Sequence, residues 1–121
     1  METKTRIKEL FRVIDKMDTP GFTAYLTDNV YFRFGNMPAL EGRNNVSELI
    51  QGFYDSIKAL SHDVDNIWES GEMVFCNGTV HYTRHDSTTL SVPFANIFKM
   101  VGDRVGEYLI YVDTSELYNQ K

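Results

Sequence analysis

From Glu72 to Asp113 the chain alternates. Val74, Cys76, Val80 and Tyr82 share one parity, and Val92, Phe94, Asn96 and Phe98 share another. Tyr108, Ile110 and Val112 form a further set. Successive side chains of a strand point to opposite faces, so each set marks one face of one strand. Asp86-Ser87 and Gly102-Asp103 divide the runs with residues suited to tight turns. A further strand is expected from about Leu60 to Glu69, turning at Ser70-Gly71 into the others. The pattern predicts four antiparallel strands, with one face that must be covered.

The N-terminal half has a different period. Ile7, Leu10, Phe11, Ile14 and Met17 recur at helical spacing and predict an amphipathic helix from about Thr5 to Met17, capped by Thr3 or Thr5. Asp18-Thr19-Pro20-Gly21 restarts the chain, with Thr19 expected as N-cap and Pro20 at the first helical position. The short helix that follows carries Phe22, Tyr25 and Leu26 on its apolar side. Val30 to Phe34 predicts a brief aromatic strand ending at Gly35. Asn36-Met37-Pro38 and Glu41-Gly42-Arg43 are expected in a surface loop. Asn45 is expected to open a third helix, with Glu48 completing an Asn version of the capping box. Val46, Leu49, Ile50, Phe53, Tyr54 and Ile57 form its stripe. The fold class is α+β: a curved antiparallel sheet wrapped around N-terminal helices. Helices laid on the concave face of a twisted sheet leave a cone, whose wide end is the natural ligand site.

Composition narrows the choice of function. At 121 residues and 42% hydrophobic content, one domain buries a core without disulfides or metal. The net charge of −5 and twelve scattered Lys and Arg residues argue against a nucleic-acid partner. The single Cys76 excludes an internal disulfide and suits a buried strand position. The opening METKTRIKEL is charged where a signal peptide needs an apolar stretch, and no run reaches membrane-spanning length. A cytoplasmic, reducing setting without membrane contact is the expectation. Three unclustered histidines with no acidic or thiol partner at ligand spacing imply no metal, and no cofactor motif is present.

Several polar groups fall where the cone should be. Asn96 sits between Phe94 and Phe98, as either a ligand's carbonyl partner or an amide bonded to a nearby tyrosine or the backbone. Tyr82 and Tyr108 share inward parity, where they orient a ligand or simply fill the packing. His62 is the one histidine of inward parity, a structural residue or a general base. His81 faces the other way and His85 lies at a turn. Asp113 suits a cap on a closing turn, and Arg33 has outward parity to Phe34 and Asn36. Outward-facing Phe75, Ile97 and Tyr111, with His81, make the outer sheet face apolar enough to predict a homodimer through it.

The phrases FRFGNMPALEGR, VHYTRHD, VPFANIF and EYLIYVDTSELY, in this order of elements, resemble the SnoaL-like branch of the NTF2-like (ketosteroid-isomerase-like) superfamily. The resemblance covers the whole chain, residues 1–121, as one domain. It implies a cone with an internal pocket, and a family that includes isomerases, cyclases, hydrolases, dehydratases and plain binding modules. Carried over position by position, the isomerase base falls on Phe34, its helix tyrosine near Leu10, and its protonated Asp on Asn96. The last-strand Asp of the cyclases and epoxide hydrolases falls on Ile110. The hydrolases' third-strand Arg and Asp fall near Gly78 and Val80, and their Tyr and Asn fall on Phe34 and Asn36. Only Asn36 matches. Arg84 and Asp86 imitate the Arg-x-Asp pattern but lie too near the turn at Ser87 to enter the cone. The expectation is a small-molecule-binding protein acting on an apolar, carbonyl-bearing or cyclic compound by an isomerase-, cyclase- or hydrolase-like reaction. Its substrate-binding residues would be Phe34, Asn36, His62, Val80, Tyr82, Phe94, Asn96, Tyr108 and Ile110. The alternative is a non-catalytic interaction or dimerisation domain.

Overall fold

The computed structural model describes residues 2–118. Helix α1 (Thr3–Asp15) and the short α2 (Thr19–Thr23) precede strand β1 (Leu26–Phe34) and the two-residue β2 (Leu40–Glu41). Helix α3 (Arg43–Asp55) then leads into the meander β3 (Ala59–Ser70), β4 (Met73–Thr83), β5 (Thr89–Val101) and β6 (Arg104–Val112). The six strands form one sheet in the order β2-β1-β6-β5-β4-β3. All pairings within the meander are antiparallel, as the alternation predicted, while β1 joins the far edge parallel to β6. That closing pair links Phe34 to Ile110 and Phe32 to Tyr108, bringing the N-terminal strand into the pocket wall. No described helix is long and apolar enough to cross a membrane.

The helices bury the stripes that the spacing marked. Ile7, Leu10, Phe11 and Ile14 of α1, and Val46, Ile50 and Tyr54 of α3, lie in the core against Val74, Phe98, Val105 and their neighbours on the sheet. The sheet bends where β3 shifts register between Val64 and Asn66. A bulge of this kind increases local twist and curls the sheet. Gly78 of β4 sits opposite it, and a Cβ there would collide with the Asp63 carbonyl, so only glycine allows the strands to approach so closely.

Several local expectations change. The α1 helix begins at Thr3 and stops at Asp15, and neither threonine caps it: the N-cap is Glu2, with no side-chain bond. Asp18, not Thr19, caps α2, its Oδ1 accepting from the Gly21 N–H at 3.0 Å. Thr19 is buried, and its hydroxyl donates across to Gln51 on α3 at 2.7 Å. A buried hydroxyl needs a partner, and the tertiary one displaced the local one. Leu26 belongs to β1, not to α2. There is no capping box at Asn45, because α3 starts earlier, after Gly42 at φ +95°. The Asn45 amide instead donates to the Glu41 carbonyl at 2.9 Å. Glu41 and Arg43, expected in a surface loop, lie in β2 and at the start of α3.

Candidate functional site

Between the helices and the inner face of the sheet lies a cavity of about 40 Å³. Phe34, Val80, Phe94 and Ile110 wall it, and Tyr54, His62, Tyr82, Asn96 and Tyr108 are the polar side chains along its lining. Eight of the nine residues expected at the site thus meet in one place. Strand pairing accounts for this: Cys76, Asn96, Ile110 and Phe34 occupy one level across four strands. His62 and Val80 stand opposite one another on β3 and β4, as do Leu60 and Tyr82. Asn36 departs from the expectation. It is exposed, beyond the turn at Gly35, and lines a larger outer cleft instead.

The largest revision concerns His62. Its Nδ1 lies 2.6 Å from Asp15 Oδ1, and its backbone N–H donates to Asp15 Oδ2 at 3.0 Å. Both carboxylate oxygens are therefore occupied by one residue. A carboxylate accepts only, so Nδ1 carries a proton and donates it to Asp15. The ring is packed between Phe11 and Phe94, with centroids at 4.9 and 5.1 Å. Among the described residues nothing bonds to Nε2, and His62 lines the cavity. Spacing along the chain hid this pair, because 47 residues separate its members. One signal was available: Asp15 follows Phe11 by four, placing a carboxylate on the apolar face of α1.

Asn96 is only 2% exposed. Its Nδ2 reaches Tyr108 Oη at 3.5 Å, the outer limit of a hydrogen bond, and its Oδ1 is buried with no partner among the described residues. An unpaired buried acceptor costs about 1–3 kcal/mol, and this one borders a cavity. Burial raises the Tyr108 phenol well above its ordinary range, with the Cys76 thiol adding to the effect. Burial likewise raises Tyr82, helped by Tyr118, so both tyrosines are neutral hydrogen-bond donors at physiological pH. Cys76 is 2% exposed and its thiol is pushed up to about 12, chiefly by burial, as an inert strand residue should be.

Outside the cavity, at the wide end of the cone, a cleft of about 650 Å³ runs between α3, the Asn36-Met37 turn and the C-terminal segment. Phe34, Phe53 and Val112 border both spaces. The rings of Phe34 and Phe53 meet nearly edge to face at 4.8 Å and form the partition. Arg84 fastens the mouth, donating to the carbonyls of Leu117 at 2.7 Å and Glu116 at 3.0 Å. Leu117 is buried and Tyr118 meets the Ser56 hydroxyl at 2.7 Å. As expected, Arg84 does not enter the cone, and Asp86 accepts from Thr88 within the turn. Asp113 caps the closing turn, accepting from the Ser115 N–H at 2.9 Å, and the Ser115 hydroxyl together with that N–H holds its carboxyl below the usual range. Among the described residues no three His, Cys, Asp or Glu side chains gather as metal ligands do.

The comparisons agree with this fold. The SnoaL-like domain family matches residues 7–108, and the chain belongs to that family. None of the curated proteins searched matches the sequence. Among solved structures, an NTF2-like protein of unknown function from Burkholderia pseudomallei superposes with a TM-score of 0.86 at 20% identity, covering 98% of this chain and 97% of its own. TerC, co-crystallised with polyporic acid, superposes at 0.82 with 15% identity, covering 97% and 95%. An LEH-like epoxide hydrolase from M. tuberculosis gives 0.79 at 12% identity, covering 95% and 85%. Likeness at these identities establishes a shared fold.

Proposed function

We propose that this protein is an enzyme that moves a proton on a small apolar, carbonyl-bearing or cyclic compound, with His62 as the general base. One observation carries the reading: Asp15 holds His62 Nδ1 at 2.6 Å in a cavity whose other polar groups are neutral. A carboxylate so placed fixes the ring and its tautomer and stabilises the imidazolium that forms when Nε2 accepts a proton. Tyr82, Asn96 and Tyr108 then orient the substrate's oxygen. Phe34, Val80 and Ile110 occupy the positions where familiar members of the family hold a catalytic carboxylate, so the mechanisms resting on those groups are not expected here. The cavity holds little more than a water molecule, whose share of liquid volume is about 30 Å³. The substrate's bulk therefore lies in the outer cleft with Asn36, and its reacting end passes Phe34 and Phe53. TerC, co-crystallised with polyporic acid, and the LEH-like epoxide hydrolase of M. tuberculosis share this fold and are consistent with a small-molecule ligand.

The test has two stages. A thermal-shift screen against steroids, aromatic polyketides, terpenoid epoxides and small carboxylic acids identifies a binder by mass action. Turnover of that compound should then fall by roughly 10²–10⁴-fold in His62→Ala. Full activity in that variant would remove the proposal's central residue.

The outer sheet face supports a second, compatible reading as a homodimer. Trp68, Phe75, Ile97 and Leu109 lie side by side across β3 to β6 on the outer face, and Trp68 is 51% exposed. A row of this kind is more apolar than a solvated face requires. Light scattering at high micromolar concentration should give twice the chain mass; a monomer mass would exclude this assembly.

A further inference from the structure

Where that row passes from Leu109 on β6 to its partner on β1, Arg33 has an unmet demand. Its Nε–H is buried with no acceptor, and among the described residues no carboxylate lies within ion-pair reach. Its guanidinium lies over the Tyr111 ring, 5.4 Å from the centroid. A groove of about 500 Å³ opens here, floored by β1 and β6 and rimmed by the Met37-Pro38-Ala39 segment. Among the described residues, Arg33 is the only charged one in its lining. Tyr31 and Tyr111 line it as well, 40% and 43% exposed. The nearest outward acid on β6, Glu107, is turned to Lys99 at 3.9 Å. A buried, unsatisfied donor on a cation calls for an anionic partner, because leaving it unpaired costs more than an exposed group would.

We infer that this groove is a second ligand site, separate from the cone, for a small ring-bearing carboxylate. A guanidinium pairs with a carboxylate through two parallel hydrogen bonds, which an ammonium or an amide cannot reproduce. The two exposed tyrosines supply flat apolar surface on which the ligand's ring rests. Asn36, which lines both this groove and the outer cleft, is available as a polar contact and places the two sites back to back. A carboxylate held here lies on the outer surface of the strand whose inner surface carries Phe34.

Titration calorimetry with 4-hydroxybenzoate, and in parallel with the uncharged 4-hydroxybenzamide, tests the site on the intact chain. The benzoate should bind at least tenfold more tightly than the amide. Arg33→Gln should abolish that preference, and Arg33→Lys, which keeps the charge without the fork, should retain only part of it. His62→Ala should bind benzoate as the parent does. Equal binding of the two probes, or binding undiminished in Arg33→Gln, overturns the proposal. Loss of benzoate binding in His62→Ala overturns it too, by placing the ligand in the cone. If neither probe binds, the proposal fails, and conversion of a dimer to a monomer by Arg33→Gln then identifies the occupant as a second copy of the chain. Circular dichroism of each variant confirms that the comparison is between folded proteins.

Discussion

Two histidine–aspartate pairs lie on opposite faces of one sheet. His62 meets Asp15 at 2.6 Å on the inner face, and His81 meets Asp63 at 2.8 Å on the outer. The second pair even continues to Ser91, whose hydroxyl lies 2.7 Å from His81 Nδ1. By distance alone the outer chain of groups is the more complete catalytic constellation. Burial reverses that ranking. The His62 and Asp15 side chains are 11% and 26% exposed, against 39% and 76% for His81 and Asp63. Water screens the outer pair and competes for each hydrogen bond, so it contributes little to stability and holds no substrate. His62 of the inner pair borders a cavity with an orphaned polar atom, Asn96 Oδ1, where a base has something to act on. Hydrogen-bond geometry is cheap on a sheet surface; an enclosed space beside it is not.

The largest expected break in this comparison is kinetic. His62→Ala should lower turnover of an identified substrate by roughly 10²–10⁴-fold, while His81→Ala leaves it unchanged. Steady-state assays of the two variants side by side decide it, and a reversed outcome would place the chemistry on the outer face.

Alkaline pH should expose the dryness of the inner side. Burial raises the Cys76 thiol to about 12 and raises Tyr54, Tyr82 and Tyr108 above their ordinary range. In the unfolded chain these acids lose protons that the folded chain retains. Stability is therefore fully present below the unfolded thiol value of 9.0 and declines as the pH climbs toward about 12. Each group contributes about 1.4 kcal/mol per pH unit once its unfolded form ionises. Chemical denaturation between pH 8 and 11 should show that steep decline. Phe at positions 82 and 108 together should flatten it.

Asp15 offers a smaller thermodynamic contrast. Asp15→Ala strands both the ring N–H and the backbone N–H of His62 and should cost about 1–3 kcal/mol. Asp63→Ala should stay within about 0.5 kcal/mol of the parent, as exposed pairs do. Equal costs in urea melts would show that the inner pair is as wet as the outer.

Asn96→Leu should have a small effect on stability, of the opposite sign to Asp15→Ala. It removes the unpaired Oδ1, so folding should be unchanged or gain up to about 1 kcal/mol, while affinity for the cone ligand falls. A clear loss of stability would mean that the amide is already satisfied by water and serves the fold.

Alternation and turn residues determined much of this molecule in advance. The parities of Val74 to Tyr82, Phe94 to Phe98 and Tyr108 to Val112 hold because β side chains alternate whatever surrounds them, and the helical stripes of Ile7 to Ile14 and Val46 to Tyr54 hold for the same local reason. Inward parity was enough to gather Phe34, His62, Val80, Tyr82, Phe94, Asn96, Tyr108 and Ile110 around one space. Parity says nothing about depth or partners, and there the tertiary structure decided. Thr19 gave up its capping role because its hydroxyl became buried beside Gln51. Asn36 fell outside the cavity because the turn at Gly35, with φ +57°, carries the chain away from the strand. Asp15 reached His62 only because α1 packs across β3, a contact between groups 47 residues apart that no local period encodes. Local periodicity is set by backbone geometry and can be read from one segment. The pairing of charges, and whether water reaches them, depends on which segments meet, so it exists only in the folded chain.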